Sequence, residues 1–252
     1  MNADRAEAAF WAAFVRNRNV DLGTADDGAV AVAGGYALAI AGTYNQVALA
    51  VGSTRPLTAT DLDVLDGFYR RRKLPVRIEV RQEVLDRDRA LLAAHGYALA
   101  EIRFVLFESS AVPEASAPGV VVRAAADRAG WVRLVTRAFA EGGAPDAESR
   151  RSAEITAAAA SRLFLAEADG VPAGGGAVAI AGDVAFLFSA AVLPAFRGRG
   201  VHRALLSARA AFGAAHGAAR AALKAVDDSA SARAAERAGF GRVTTLRRLR
   251  RE

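Results

Sequence analysis

The residues Val192-Leu-Pro194-Ala-Phe-Arg197-Gly198-Arg199-Gly200-Val201-His202-Arg203 have the types and the order of an anion cradle. An apolar run over Val184–Val192 leads into Pro194. Two arginines then alternate with two glycines, and an apolar stripe at helical spacing follows. Glycines at 198 and 200 allow positive φ and close backbone approach. A helix that starts at Val201 offers unpaired N–H groups and the positive end of its dipole. That combination suits a phosphate or a diphosphate. Arg197, Arg199 and Arg203 can add charge-assisted hydrogen bonds to phosphate oxygens, each worth about 1.5–3 kcal/mol when well made. The loop lacks the Gly-Lys-Ser/Thr ending of a Walker loop and the third glycine of a Rossmann loop.

The strand before the loop adds a second feature. Pro194 cannot donate to a ladder, so pairing is expected to end near it. Backbone amides around Ala190, Ala191 and Val192 are then left free, and an extended amide-bearing ligand can join them as a pseudo-strand.

The elements that must position these residues can be read outward from the loop. Three strands, Leu163–Ala168, Ala173–Ile180 and Val184–Val192, are joined by Asp169-Gly170 and Gly182-Asp183, the pattern of an antiparallel meander. Helices are expected over 130–140, broken by Glu141-Gly-Gly-Ala-Pro145, and over 147–162. After the loop come a helix over 201–216 carrying Val201, Leu205, Ala208 and Phe212 on one stripe, and a strand over 219–226. Asp228 can cap a further helix that ends at Gly239, and a last strand covers 243–249.

The segment Glu108–Pro118 is small, polar and proline-bearing, and reads as a linker near 109–118. Before it, Val76–Val80, Asp88–Ala94, Gly96-Tyr97 and 98–107 repeat the later order of strand, helix, Gly-aromatic and strand. This first copy has no basic glycine loop. Between Thr60 and Arg72 it carries an amphipathic helix with Leu62, Leu65, Phe68 and Tyr69.

Composition narrows the class. The 252 residues are 53% hydrophobic, enough for one large core or two small ones. No apolar run approaches the ~18 residues of a membrane span, and the acidic start MNADRAEAAF argues against a signal peptide, so a cytoplasmic protein without a membrane partner is expected. With no cysteine, thiolate metal sites and cysteine nucleophiles are excluded, and His95, His202 and His216 lack metal-ligand spacing; no metal is expected. The net charge of +6 invites a nucleic-acid reading. The arginines, however, are spread along the chain, and no aromatics interleave with the clusters at 70–73 and 247–251, so no nucleic acid is expected.

Val192-x-Pro194-x-x-Arg197-Gly198-x-Gly200-Val201 resembles the acetyl-CoA loop of the GNAT N-acetyltransferase superfamily. Asp228-x-x-Ser231, followed by Gly239-Phe240, resembles that family's last helix. The resemblance covers residues 119–252, and the first part is similar to the degenerate N-terminal half of tandem members. It implies an α+β fold: a splayed, mostly antiparallel mixed sheet flanked by helices, in two related halves. The expected division is a degenerate GNAT-like domain over 1–108, a linker over 109–118 and an acetyltransferase domain over 119–252. It also implies acetyl-CoA as cosubstrate and direct transfer of the acetyl group to an amine of a small molecule or peptide. An acyl-CoA-binding regulatory protein with little turnover is the alternative; either would be a monomer or a homodimer.

By this resemblance Ala190, Ala191 and Val192 pair with the pantetheine arm and polarise the thioester carbonyl. Arg197, Gly198, Arg199, Gly200, Val201, His202 and Arg203 hold the diphosphate. His202 stands where the family has glycine or alanine, and its imidazole can bind phosphate or cap the helix. Asp228 stands where asparagine is common, and either caps the helix or touches the cofactor. Ala235 occupies the position of the usual tyrosine acid, and all four tyrosines, at 36, 44, 69 and 97, precede the linker. For proton transfer, Glu141 is a candidate base, directly or through water, and Ser189 and Ser229 are candidate hydroxyls. The Val192 amide can stabilise an oxyanion without any side chain.

Overall fold

The computed structural model describes residues 2–17, 27–40, 47–114, 117–141 and 143–251. In chain order, the elements up to the linker are α1 (Ala3–Asn17), β1 (Gly28–Val32), β2 (Gly35–Ala39), β3 (Ala48–Leu49), α2 (Ala59–Arg70), β4 (Val76–Arg81), α3 (Gln82–Ala94) and β5 (Ala98–Ser109). Then follow β6 (Val120–Ala124), α4 (Arg128–Phe139), α5 (Ala147–Ala159), β7 (Arg162–Ala168), β8 (Val171–Ala181), β9 (Val184–Val192), α6 (Val201–Ala215), β10 (Arg220–Val226), α7 (Ala230–Arg237) and β11 (Gly241–Arg251). Among the described residues no helix is long and apolar enough to cross a membrane.

The chain forms two compact units. The first holds Met1–Leu106, Ala225–Asp227 and Val243–Glu252, and the second holds Phe107–Lys224 and Asp228–Arg242. In the first unit the strand order is β1-β2-β3-β4-β11-β5. β3 runs parallel to β4, and β11, the last strand of the chain, lies antiparallel to β4 from Leu246↔Arg81 to Arg251↔Val76. Its core gathers Leu62, Leu65, Phe68 and Tyr69 from α2 with Ile78, Val80, Leu92 and Leu249. These α2 residues are the stripe expected from the sequence. α2 opens with a capping box: Thr58 accepts from the Asp61 N–H, and the Asp61 carboxylate accepts from the Thr58 N–H at 2.9 Å. Arg55 grips the same carboxylate through two hydrogen bonds of 2.7 and 2.8 Å. That guanidinium, with Thr58, holds the Asp61 carboxyl down at about 2.

In the second unit β6, β7, β8 and β9 form an antiparallel sheet, and β10 joins β9 in parallel. The meander expected from the sequence is β7-β8-β9. Its first turn places Asp169 and Gly170 at φ 51° and 79°, the two positive values a tight hairpin turn needs. Trp131, Val132, Val135 and Ala138 of α4 build the core on one face, with Ala153 and Ala157 of α5. Leu205, Leu206 and Ala210 of α6 are buried as well.

Several boundaries differ from the expected ones: α3 starts at Gln82 rather than near Asp88, and β8 and β11 each extend by about two residues. The helix over 147–162 stops at Ala159, because Ala160 turns to extended backbone at ψ 139° and the chain enters β7. The last helix is capped by Ser229, whose Oγ accepts from the Ala232 N–H at 3.1 Å, and not by Asp228, which sits one residue outside at φ 58°.

Candidate active site

The loop, the β9 edge and the residues around them lie within the second unit. At the end of β9 the ladder with β8 slips, from Ala177↔Phe188 to Gly175↔Ala191. Three steps on β9 thus face two on β8, which is a β-bulge. Ser189, inside it, is forced to φ 48°, a conformation that costs a non-glycine residue about 1–3 kcal/mol. Its Oγ lies 3.0 Å from Thr156 Oγ1 of α5, a bond that ties the bulge to the helix beside it.

The other edge of β9 is open. Parallel pairing with β10 covers only Val184–Phe186. Pro194 is not what frees this edge: β9 pairs with β8 as far as Val192, and the Leu193 N–H still reaches the Ala173 carbonyl at 2.9 Å. β10 diverges from β9 beyond Phe186, and among the described residues no pairing between the two strands continues toward Val192. Ala190 is half-buried there, and Ala191 and Val192 are buried.

The chain then makes a 3-10 turn over Pro194–Phe196 and passes through Gly198 at φ 78° and Gly200 at φ 80° into α6. Gly200 is the N-cap and supplies no side chain to the helix start. Among the described residues, none of the N–H groups from Gly198 to Arg203 finds an acceptor with hydrogen-bond geometry. Such a run of N–H groups at a helix start can take an anion. A bound diphosphate fits both features of the donor set, the N–H run and the arginines around it.

Those arginines hold exposed internal partners. Arg197 Nη2 lies 3.5 Å from Glu141 Oε1, and its Nε lies 3.4 Å from the Val192 carbonyl. Arg199 forms an ion pair with Asp169 of the β7–β8 turn. Arg203 donates to the Glu114 carbonyl at 2.8 and 3.1 Å. Exposed pairs of this kind are worth ~1 kcal/mol or less, so a phosphate can replace them.

The structure brings Glu141 to the loop. It follows α4 at φ 51°, largely exposed, with its carboxylate against Arg197. Ser229 uses its oxygen as the cap of α7, a role that leaves its proton to donate. The exposed Asp228 presents its carbonyl to Arg233 at 2.6 Å. His202 caps no backbone group. Its Nδ1 is buried without a hydrogen-bond partner, and burial, with Arg209 and Arg237 nearby, pulls its pKa down to about 4. The imidazole is therefore neutral at pH 7.

Ala235 is buried on α7. Two tyrosines are committed to the core of the first unit: Tyr69 bonds both backbone groups of Leu38, and Tyr97 donates to Asp66 at 3.1 Å. Burial raises the pKa of both. Tyr36 lies under the Arg16 guanidinium, and Tyr44 is outside the described residues. Three residues in contact with these elements carried no sequence signal: Thr156, Asp169 and Arg209. The first two look like ordinary helix and turn residues. Arg209 looks like one more arginine in an arginine-rich chain, although it falls on the apolar stripe beside Leu205.

Residues 129–240 match the model of the acetyltransferase (GNAT) family. Among solved structures, a GCN5-related N-acetyltransferase from Kribbella flavida is similar over 100% of this chain and 96% of its own, with a TM-score of 0.68 and 19% identity. One from Sphaerobacter thermophilus is similar over 82% of this chain and 71% of its own, with a TM-score of 0.60 and 18% identity. A tandem GNAT protein from the clavulanic acid biosynthesis pathway is similar over 81% of this chain and 74% of its own, with a TM-score of 0.57 and 14% identity. No curated protein matches the chain. At these identities the structural likeness establishes the fold, a GNAT-like mixed sheet flanked by helices.

Proposed function

We propose that the protein is an N-acetyltransferase which moves an acetyl group from acetyl-CoA to an amine by direct attack, a reading supported by the match of residues 129–240 to the acetyltransferase (GNAT) family model. The observation that carries this reading is the open amide edge of β9 running straight into the bare N–H groups of Gly198–Arg203. The edge offers alternating donors and acceptors to an amide-bearing arm, and the loop offers donors to two phosphates. Ala190, Ala191 and Val192 hold the arm. Gly198, Gly200, Val201, His202 and Arg203 face the diphosphate with their backbone, and Arg197 and Arg199 with their side chains. Asp228, at the start of α7, is a further contact.

In the reaction the amine lone pair forms a bond to the thioester carbon, and the carbon–sulfur bond breaks with its electrons going to sulfur. The amine gives up one proton and the thiolate takes one. Glu141 is the candidate acceptor for the first, through water. The Ser229 hydroxyl is the candidate donor for the second. The acceptor substrate is an amine of a small molecule or peptide. On this reading the halves 1–108 and 119–252 are related domains joined by 109–118, and only the second holds acetyl-CoA.

Isothermal titration tests the first step. Binding of acetyl-CoA in the micromolar range is expected, and none at high micromolar concentration would refute the reading. Thiol release across a panel of amines tests the second. The absence of a tyrosine at 235 and the burial of Tyr69 and Tyr97 favour a second reading, an acyl-CoA-binding regulator with little turnover. Robust turnover with any amine rejects it.

A further inference from the structure

Arg209 of α6 is 1% exposed, and among the described residues no carboxylate pairs with it. A buried charge without a counter-ion is costly, and an apolar side chain of similar volume often serves stability better. Its Nε and Nη1 are nonetheless held by carbonyls. Nε donates to Leu205 O, one turn back on its own helix, at 2.9 Å. Nη1 donates to Phe188 O at 3.2 Å and to Ala177 O at 3.4 Å. Ala177 and Phe188 are register partners, the pair at which the β8–β9 ladder slips into the bulge. Opposite the bulge stands Gly176, where a Cβ would lie 3.0 Å from Arg209 Nε and 3.2 Å from Cζ. The glycine makes the room that the guanidinium occupies. Burial lowers the pKa of Arg209 to about 9, so it is charged at neutral pH.

We propose that Arg209 is a positioning residue for acyl transfer: it locks the bulge of β9 from within the unit and holds a fixed positive charge behind the amide edge where the thioester carbonyl gains negative charge. A charged donor on the Phe188 carbonyl draws electron density toward that oxygen, which makes the Ser189 N–H of the same peptide a stronger donor. In a water-poor interior the charge also acts on a developing oxyanion directly, without reorganising during the reaction. This inference rests on the acetyl-CoA reading above.

The test is the infrared carbonyl stretch of acetyl-CoA, carbon-13 labelled at the thioester, bound to wild type, Arg209→Met, Arg209→Lys and Gly176→Ala. Plain CoA affinity, thermal midpoint, kcat and KM are measured beside it. The wild type is expected to lower the stretch relative to free acetyl-CoA. Arg209→Met is expected to lose more than half of that shift and roughly tenfold in kcat, with KM and CoA affinity within twofold. Arg209→Lys is expected to restore part of both. If Arg209→Met does not fold, Arg209→Lys and Gly176→Ala carry the test, since each keeps the charge but moves it off the Phe188 carbonyl and is expected to reduce the shift. A wild-type shift that survives every folded variant, or a lysine no better than methionine, overturns the role of Arg209. Binding without any carbonyl shift in the wild type overturns it too, and leaves acetyl-CoA binding standing. Failure of the wild type to bind acetyl-CoA overturns the underlying reading and this inference with it.

Discussion

The pairing of Arg199 with Asp169 makes a prediction of unusual sign: removing a carboxylate from the protein should tighten binding of acetyl-CoA. Arg199 belongs to the cradle, but in the free protein its guanidinium is held by the Asp169 carboxylate. Side-chain exposures of 41% and 66% put the pair in water, where such contacts are worth about 0.2–1 kcal/mol. A diphosphate must break that contact to recruit the arginine. Asp169→Asn removes the competing charge, so affinity should rise by up to that amount, or as much as about fivefold. The substitution suits the site. Asp169 sits at φ 51° in a tight hairpin turn, where asparagine is at home, so the turn should survive. Arg199→Glu is the opposite arm. It forfeits a charge-assisted bond of about 1.5–3 kcal/mol and faces the phosphates with a like charge, so binding should fall by at least roughly 10-fold. Titration calorimetry with acetyl-CoA at low and at moderate salt reads both, and the Asp169→Asn gain should shrink as salt screens the pair. If Asp169→Asn binds no more tightly than the wild type at low salt, Arg199 does not reach the ligand.

Other expectations follow from packing and protonation. Gly175→Ala sets a methyl 2.8 Å from Trp131 Nε1 and from Val135 Cγ2, so calorimetric unfolding should show a loss of about 1–3 kcal/mol. Ser229→Ala removes the cap of α7, with about 1 kcal/mol of stability lost in denaturant titration. An unchanged kcat in that variant would rule out Ser229 as the proton donor. His202 stays neutral in the folded protein down to about pH 4 but protonates near its ordinary pKa of ~6.5 when unfolded, so the unfolded chain binds the extra proton. Its contribution to stability is therefore full above the unfolded value and is lost as pH falls from there toward 4. Thermal midpoints between pH 7 and 4 should drop less steeply in His202→Leu than in the wild type.

The chemistry of the loop was readable because glycine, proline and arginine act locally. Gly198 and Gly200 take the positive φ that their type allows, and the two-residue turn at Asp169-Gly170 forms the expected hairpin. Periodicity placed α2, α4 and α6 within a few residues for the same reason. What depends on a partner far along the chain was not readable. The freedom of the β9 edge comes from where β10 goes and not from Pro194. β11 lies beside β4, a neighbour some 170 residues earlier in the chain, which no local pattern encodes. α1, β1 and β2, rich in alanine and glycine, gave no reading at all. Asp228 and Ser229 are adjacent residues of nearly equal capping preference, and backbone geometry rather than type decided between them. Arg209 shows the limit best. An arginine on an apolar stripe is ordinary in composition, and its meaning appears only when two carbonyls and a glycine from other strands close around it.

The capping box of α2 bears on how many ligands one chain can hold. The start of that helix already binds an anion, and the anion is covalently part of the protein. The Asp61 carboxylate takes the Thr58 N–H and both arms of Arg55, and never leaves. At α6 the N-cap is Gly200, which has no side chain to offer the corresponding donors. The α2 start is thus closed by the chain's own carboxylate, whereas the α6 start has no side-chain cap. On the acetyl-CoA reading, the ligand should therefore bind at the start of α6 and not at that of α2.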